Sequence, residues 1–192
     1  MRKLVVTEFM TLDGVMEDPG GAEDFAHGGW SFKFSDPEGM RFKLDELTEF
    51  DSLLLGRVTY EEFAQAWPSR RDEVGFADKM NAMKKYVVSS TISEANWQNS
   101  EIVGGGDDAP AVVAALKQQD GGDILIAGSR SLLPALAAHG LIDEYRLMVH
   151  PIVLGSGKRL FDGIADPFTL RLASSQVLAT GSLILIYEPV RD

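Results

Sequence analysis

Short apolar runs recur along the chain, and each one stops at glycine, at a turn or at a cluster of hydroxyl groups. Residues 3–11 are mainly β-branched and apolar, and further runs occupy 52–56, 85–91 and 123–128. Apolar runs of this length, bounded in this way, are typical of strands that are buried in a sheet. The pattern therefore predicts four buried strands, and Ile102-Val103 is predicted as another short one.

Helical patterns lie between these strands. Asp36 precedes a proline and is a candidate N-cap for the first helix, and Thr59 is the candidate N-cap of the second. Residues 111–119 are predicted as a third helix. A fourth begins at Ser129 or Ser131, and the later start is favoured because it keeps the following proline in the first turn.

The remaining segments set the architecture. Residues 15–36 hold a proline, paired glycines and scattered aromatic residues, which predicts a long loop that covers part of the molecule. Residues 145–149, 169–178 and 182–187 are predicted as strands, and the last two form a hairpin. Strands alternating with helices, followed by strands alone, indicate an α/β fold with a mixed, mostly parallel sheet. We expect a single domain over 1–192.

Composition and charge exclude several classes of function. The net charge of −11 argues against nucleic acid as a partner, because phosphate backbones require clustered Lys and Arg. The chain has no cysteine, which excludes disulfides, thiolate catalysis and cysteine-ligated zinc. No apolar run has the length of a membrane span, and the N-terminus reaches an acidic residue too early for a signal peptide. We expect a cytoplasmic protein with no membrane partner.

Three strand ends carry small or hydroxylated residues. They are Gly56-Arg57-Val58-Thr59, Ser89-Ser90-Thr91 and Ala127-Gly128-Ser129-Arg130-Ser131. Ligands of open α/β sheets bind beyond the carboxyl ends of parallel strands, where glycines allow close approach and hydroxyls and arginines hold phosphate. The three together predict a site for an extended, phosphate-bearing ligand. The alternative is that each is an ordinary turn with an N-cap.

Other familiar motifs fail on spacing. The glycines at 104–106 and 155–157 do not continue into a dinucleotide-binding fingerprint, and 157–159 does not complete a Walker A loop. Gly128-Ser129-Arg130-Ser131 does not supply a nucleophile elbow. The histidines at 27, 139 and 150 have no partner at helical spacing, which argues against a metal site.

Several segments, taken in order, resemble the dihydrofolate-reductase-like superfamily. More closely, they are similar to the reductase domain of the bifunctional riboflavin-biosynthesis deaminase–reductase and its stand-alone bacterial relatives. The resemblance covers nearly the whole chain and is most specific from Gly-Leu-Ile-Asp-Glu at 140–144 to Leu-Gly-Ser-Gly at 154–157. The matching segments are residues 11–14, 55–61, 88–91, 126–129, 140–144, 151–157 and 160–161.

This resemblance implies a three-layer fold and an NADPH-dependent reductase of a small heterocyclic substrate, similar to 5-amino-6-(5-phosphoribosylamino)uracil reductase. It also implies a homodimer formed through the late strands. The residues carried over as NADPH contacts are Gly56, Arg57 and Thr59 at the phosphates; Ser89, Ser90 and Thr91 at the adenosine ribose and its 2′-phosphate; Gly128, Ser129, Arg130, Ser131 and Leu132 at the pyrophosphate; and Gly14, Leu154 and Gly155 around the nicotinamide.

The chain departs from that family pattern near the substrate. The riboflavin-pathway reductases commonly carry lysine after Leu-Asp-Gly, and Val15 stands at that position here. Residues 66–71 replace their usual Asn-Pro and Leu-Thr-Val-Arg segment, and the deaminase half has no counterpart.

The hydride chemistry belongs to the cofactor, and the protein must supply a proton. Asp13, Asp36 and Glu61 are the candidate donors, with helix capping or surface charge as the alternative for each. Trp30, Phe32 and Tyr60 are candidates for stacking on a planar substrate, with core packing as the alternative, and 15–36 would be the lid. Two other functions stay open: a catalytically silent nucleotide-binding module of the same fold, and a flavin- or antifolate-binding protein.

Overall fold

The computed structural model describes residues 1–191, which form thirteen regular elements and two short 3-10 helices, at Trp30–Phe34 and Gly106–Asp108. In chain order, the strands are β1 Leu4–Thr11, β2 Ser52–Gly56, β3 Lys84–Val88, β4 Ser100–Ile102, β5 Ile124–Ala127, β6 Glu144–His150, β7 Leu170–Val177 and β8 Leu183–Pro189. The helices are α1 Pro37–Glu49, α2 Arg57–Ala66, α3 Phe76–Ala82, α4 Ala109–Gln118 and α5 Leu133–Ala138.

All eight strands belong to one sheet in the order β4-β3-β2-β5-β1-β6-β8-β7. The pairs from β4 to β6 are parallel, while β8 is antiparallel to both β6 and β7. The predicted mixed sheet with a C-terminal antiparallel hairpin is therefore confirmed. β1 lies near the centre, between β5 and β6, so its carboxyl end has neighbouring strand ends on both sides.

Helices cover both faces of the parallel strands, which explains their continuous apolar sequences. On one face, Leu54 and Ile126 belong to a core that also contains apolar residues of α4 and α5. On the other, Leu53 and Leu125 pack in a core with residues of α1, α2 and α3. The fold therefore has three layers. Among the described residues, no helix combines the length and the apolar character needed to cross a membrane.

The structure confirms one helix start and corrects two. The side chain of Asp36 accepts hydrogen bonds from the amides of Glu38 and Gly39, as an N-cap does. α2 begins at Arg57 with Gly56 as its N-cap, so the predicted cap Thr59 lies inside the helix. α5 begins at Leu133, beyond both predicted serines, because a turn closed by the carbonyl of Ser129 comes first.

Two further differences concern short elements. β4 begins at Ser100, two residues before the predicted strand. The sequence prediction also missed α3, which has only seven residues and no side-chain N-cap. Its first amides instead donate to the carboxylate of Asp72, which lies four residues before the helix and does not fit the usual cap spacing.

Candidate active site

The three strand-end segments predicted to form a site line one cavity of about 660 Å³. This volume is in the range of small-molecule sites. The lining also includes residues from β1, α1, α2 and the loop 15–36, so the cavity continues from the strand ends to the face of β1. The predicted residues in the lining are Gly56, Arg57, Thr59, Ser89, Ser90, Thr91, Gly128, Ser129, Arg130, Ser131 and Leu132.

The ends of β2 and β5 approach so closely that both require glycine. A Cβ atom on Gly56 would lie 2.0 Å from the Oγ of Ser129, and one on Gly128 would lie 2.8 Å from the Oγ1 of Thr59. Gly128 also has a φ of +70°, and Ser129 follows with a φ of +75°, which is unusual for a residue other than glycine. The two turns interlock and present backbone, rather than bulky side chains, to the cavity.

The N-terminus of α2 and two arginines make this end of the cavity suitable for an anion. Gly56 provides no side-chain cap, so the first amides of α2 have no side-chain acceptor. Arg57 pairs with Glu61 at 2.8 Å, and Arg130 lies 3.6 Å from its carboxylate partner. Both ion pairs are about half exposed and therefore weak, so a phosphate group can compete for the guanidinium groups.

At the end of β3 the three hydroxyl residues differ in their contacts. The Oγ of Ser89 is buried and accepts hydrogen bonds from the amides of Thr91 and Ile92, at 3.1 and 3.3 Å. The hydroxyl of Ser89 therefore holds the turn in place. Ser90 and Thr91 are exposed beside it and remain available to a ligand.

A cluster of polar side chains lies at the β1 side of the cavity, and we call it the floor cluster: Thr7, Glu8, Lys43 and Glu46. The Oε2 of Glu46 accepts hydrogen bonds from the hydroxyl of Thr7 at 2.8 Å and from the ammonium of Lys43 at 2.6 Å. Lys43 also donates to Thr7. Among residues 1–191, the Oε1 atoms of Glu8 and Glu46 have no hydrogen-bond partner.

Glu8 is the most perturbed acid of the floor cluster. Glu8 is only 7% exposed to solvent. Burial raises the pKa of Glu8 to about 8, against the opposing effects of a hydrogen bond from the Gly128 backbone and the charge of Lys43. Glu8 is therefore mostly protonated at neutral pH, while Glu46 has an ammonium group to balance its charge.

A second cluster of charged residues lines the cavity, and we call it the lid cluster: Glu17, Glu23, Glu62 and Lys158. Two of these residues belong to the loop 15–36, one to α2 and one to the segment between β6 and β7. The Nζ of Lys158 lies 2.5 Å from Glu17 and 3.1 Å from Glu23. Burial and the nearby carboxylates of Glu23 and Asp18 raise the pKa of Glu62 to about 7. These contacts join the loop 15–36 to the rest of the cavity wall.

The family model described as the RibD C-terminal domain matches residues 2–184. The chain belongs to the RibD C-terminal domain family. This family is one of reductases, which supports a reductase-like activity.

The chain is similar to two proteins of Bacillus subtilis, the uncharacterized proteins YyaP and YwjB. YyaP is 31% identical over 190 residues, covering 97% of this chain and 95% of the relative. YwjB is 31% identical over 175 residues, covering 91% of each.

Solved structures share the fold at lower identity. A putative riboflavin biosynthesis protein from a Shewanella species has a TM-score of 0.72 at 21% identity, with 98% of this chain and 99% of that chain covered. A pyrimidine reductase-like protein of Corynebacterium diphtheriae has a TM-score of 0.71 at 13% identity, with 100% and 93% covered. A deaminase/5-amino-6-(5-phosphoribosylamino)uracil reductase of Thermotoga maritima has a TM-score of 0.63 at 14% identity, and this chain covers 57% of it. The resemblance inferred from sequence motifs is therefore confirmed.

In this member of the RibD C-terminal domain family, the three carboxylates predicted as proton donors lie outside the cavity lining. Asp36 caps α1, and Glu61 pairs with Arg57 on the exposed face of α2. Asp13 accepts hydrogen bonds from the amides of Leu154 and Gly155. Although burial opposes ionisation, hydrogen bonds from Thr11 and these amides hold the pKa of Asp13 below its ordinary value, so it has no proton to donate at neutral pH.

The aromatic residues predicted to stack on the substrate, and the three predicted cofactor contacts around the nicotinamide, also lie outside the lining. Trp30 is buried and donates from its ring to the carbonyl of Glu17, and the buried hydroxyl of Tyr60 accepts from the amide of Trp97. Phe32 is exposed. The remaining predicted cofactor contacts, Gly14, Leu154 and Gly155, bind Asp13 or neighbouring loop backbone instead of facing the cavity.

The sequence prediction missed Glu8, although a signal was present. Glu8 is an acidic residue inside an apolar strand, and an acid is rarely fully buried without a specific reason. Lys43 and Glu46 gave a weaker signal, because pairs three residues apart are common on the exposed faces of helices.

Proposed function

We propose that this protein is an NADPH-dependent reductase of a small heterocyclic substrate and that Glu8 donates the proton. One observation carries the proposal. A single cavity connects two interlocked glycine turns, suited to an anionic cofactor, with a buried carboxyl group that holds a proton at neutral pH.

The cofactor end fits NADPH through this chain's own groups. The free amides of α2 and the guanidinium of Arg57 would hold the phosphates, and Ser90 and Thr91 would contact the adenosine ribose with its 2′-phosphate. A side chain at Gly56 or Gly128 would fill the space between the turns. When bound, NADPH supplies a hydride and becomes NADP⁺.

The floor cluster supplies the complementary proton. For a substrate with a C=N bond, the carbon accepts the hydride while the nitrogen takes the proton of Glu8, so that a C–H and an N–H bond replace the second bond of C=N. The nearby charge of Lys43 stabilises the carboxylate that Glu8 becomes. Glu8 then takes a proton from water, which completes the cycle.

Cofactor binding and proton donation can be tested separately. Fluorescence titration of the wild type with NADPH tests binding, and the absence of binding at sub-millimolar NADPH would contradict the proposed function. NADPH oxidation with a panel of pyrimidines and pterins tests turnover. Binding without oxidation by any ring would instead support a silent nucleotide-binding module.

The variant Glu8→Gln keeps the size of the side chain and removes its proton-donating acid. We expect NADPH affinity to stay within about threefold and kcat to fall at least a hundredfold, in line with general-acid contributions of about 10²–10⁴. Glu73→Gln, at an exposed position, is the matched control. If Glu8→Gln kept the wild-type kcat and pH profile, Glu8 would not be the donor.

A further inference from the structure

The cations that line the cavity fall into two groups with different availability. Arg57 and Arg130, at the cofactor end, are in half-exposed pairs whose partners water also reaches. The two lysines are held more tightly. Lys43 lies 2.6 Å from the buried Glu46, and Lys158 lies between Glu17 and Glu23. The part of the cavity away from the cofactor turns therefore offers no uncommitted ammonium group among the described lining residues.

Carboxylates outnumber the cation in the lid cluster. The cluster has three carboxyl groups, those of Glu17, Glu23 and Glu62, and one cation, Lys158, while the charge of Arg130 also acts on Glu17. A phosphate group placed here would have to draw the ammonium away from two carboxylates and leave them without a partner. Leaving a partly buried charge unpaired is costly, and the approach of a dianion to acidic side chains adds repulsion.

The floor cluster adds an independent observation that points to a ligand. Glu8 and Glu46 are 7% and 1% exposed, both line the cavity, and each has an Oε1 atom without a partner among residues 1–191. A buried carboxyl oxygen without a hydrogen-bond donor is unfavourable, so a ligand that brings donors gains free energy there. Amino groups and ring N–H groups are such donors.

We propose that the substrate is a nitrogen-rich ring that presents N–H donors to Glu8 and Glu46 and carries no phosphate group. This inference rests on the proposed function and specifies its substrate class. The phosphate-binding groups of the cavity serve the cofactor alone. In this respect the chain differs from the Thermotoga maritima protein, whose name specifies a phosphoribosyl substrate.

The test compares two compounds that differ only in phosphate. One is 5-amino-6-(5-phosphoribosylamino)uracil, and the other is the same compound with a free ribosyl hydroxyl. Isothermal titration into the NADP⁺-saturated protein gives both affinities, because the oxidised cofactor has no hydride to transfer to the compound. 2,4-Diaminopyrimidine serves as a smaller probe with N–H donors. We expect the unphosphorylated compound to bind at least tenfold more tightly. Equal or tighter binding of the phosphorylated compound would overturn the inference, and so would failure of both N–H-bearing unphosphorylated probes to bind.

Two variants make the test specific. The double variant Glu17→Gln/Glu23→Gln releases Lys158, and we expect it to shift the preference at least tenfold toward the phosphorylated compound. An unchanged preference would contradict the role of the lid cluster. Glu46→Gln removes an acceptor, and we expect weaker binding of 2,4-diaminopyrimidine, with Glu73→Gln as control. NADPH titration of each variant separates these outcomes from failure of the reductase proposal itself.

Discussion

Gly56 and Ser129 lie so close together that a Cβ atom on the glycine would stand 2.0 Å from the serine Oγ. The φ of Gly56 is −74°, which any residue adopts, so space alone requires glycine at this position. We predict that Gly56→Ala separates the ends of β2 and β5 and lowers NADPH affinity at least tenfold in a fluorescence titration. Gly20→Ala is the matched control, because a Cβ there meets nothing within 4 Å. Unchanged affinity in Gly56→Ala would show that the turns do not hold the cofactor.

Arg57 tests whether the cavity wall holds the phosphates of NADPH. Its guanidinium lies at the cavity wall and shares only a half-exposed pair with Glu61. We predict that Arg57→Ala weakens NADPH binding about tenfold, or about 1.4 kcal/mol, and that added salt reduces this difference. The control is Arg41→Ala, which removes an arginine from a pair of the same i,i+4 spacing, but more exposed, on α1 outside the lining. Equal losses in both variants would indicate a general charge effect.

Glu8 also predicts a dependence of stability on pH. Its folded-state pKa of about 8 lies above its ordinary value of 4.5, so it favours the folded protein at low pH, and this contribution is lost as the pH rises from 4.5 through 8. We predict that the free energy of unfolding of Glu8→Gln and that of the wild type depend on pH in a similar way below pH 4.5. Above pH 4.5 the variant becomes more stable relative to the wild type, by on the order of 4 kcal/mol at pH 9. Urea unfolding at several pH values measures the difference. Parallel curves for the two proteins would contradict the prediction.

The stability contribution of His150 has the opposite pH dependence, because it is lost in acid. Its Nδ1 lies 2.9 Å from the Oγ of Ser182, its Nε2 has no partner among the described residues, and Phe9, Trp30 and Phe34 surround the ring. Burial lowers the pKa of His150 to about 4. Stability from the neutral ring is therefore present above pH 6.5 and is lost as the pH falls through 4, by on the order of 3 kcal/mol.

The measurement is the change in unfolding free energy between pH 7 and pH 4. We expect it to be smaller in His150→Gln than in the wild type and unchanged in His139→Gln, whose histidine is exposed. The same change in all three proteins would exclude His150 as the source. Because Trp30 and Phe34 belong to the loop 15–36, we also expect acid to loosen this loop first, as faster proteolysis within 15–36.

The outer edge of β7 is the surface on which we expect a second copy to bind. β7 is the last strand of the sheet, and Phe168, Leu172 and Val177 are exposed on or beside it. Edge strands with apolar side chains tend to pair or to be covered. We predict a dimer by light scattering and a monomer for Leu172→Lys. Val74→Lys, at another exposed apolar position, should leave the mass unchanged, and a monomeric wild type would contradict the expectation.

The fold was predictable where local patterns and tertiary burial agree. The residues 53–55 and 124–126 are apolar without interruption because helices cover both faces of the sheet. These two apolar runs were therefore enough to predict buried strands. The grouping of the three strand-end turns was predictable for a similar reason, since parallel strands end at one edge. α3 was not predictable, because its capping carboxylate belongs to Asp72 rather than to the residue before the helix.

The acids of the site were harder to identify because their environment is set by distant residues. Glu8 and Glu46 meet only when α1 packs against β1, and the raised pKa of Glu8 comes mainly from burial that the fold creates. Conversely, Asp13 belongs to a recognisable sequence motif, yet its hydrogen bonds bind one loop to another. Residue type and motif alone did not distinguish these two environments.

The position of β1 in the sheet has a consequence for how the polypeptide is made. Leu4 pairs with Ile124 and Val5 with Glu144, so both neighbours of the first strand come from the second half of the chain. A ribosome has released most of the polypeptide before β1 can pair on either side, whereas β2, β3 and β4 are able to associate earlier. β1 is thus enclosed after β2, β3 and β4, although it precedes them in the chain, and nascent chains that end before β6 cannot form the complete sheet around it.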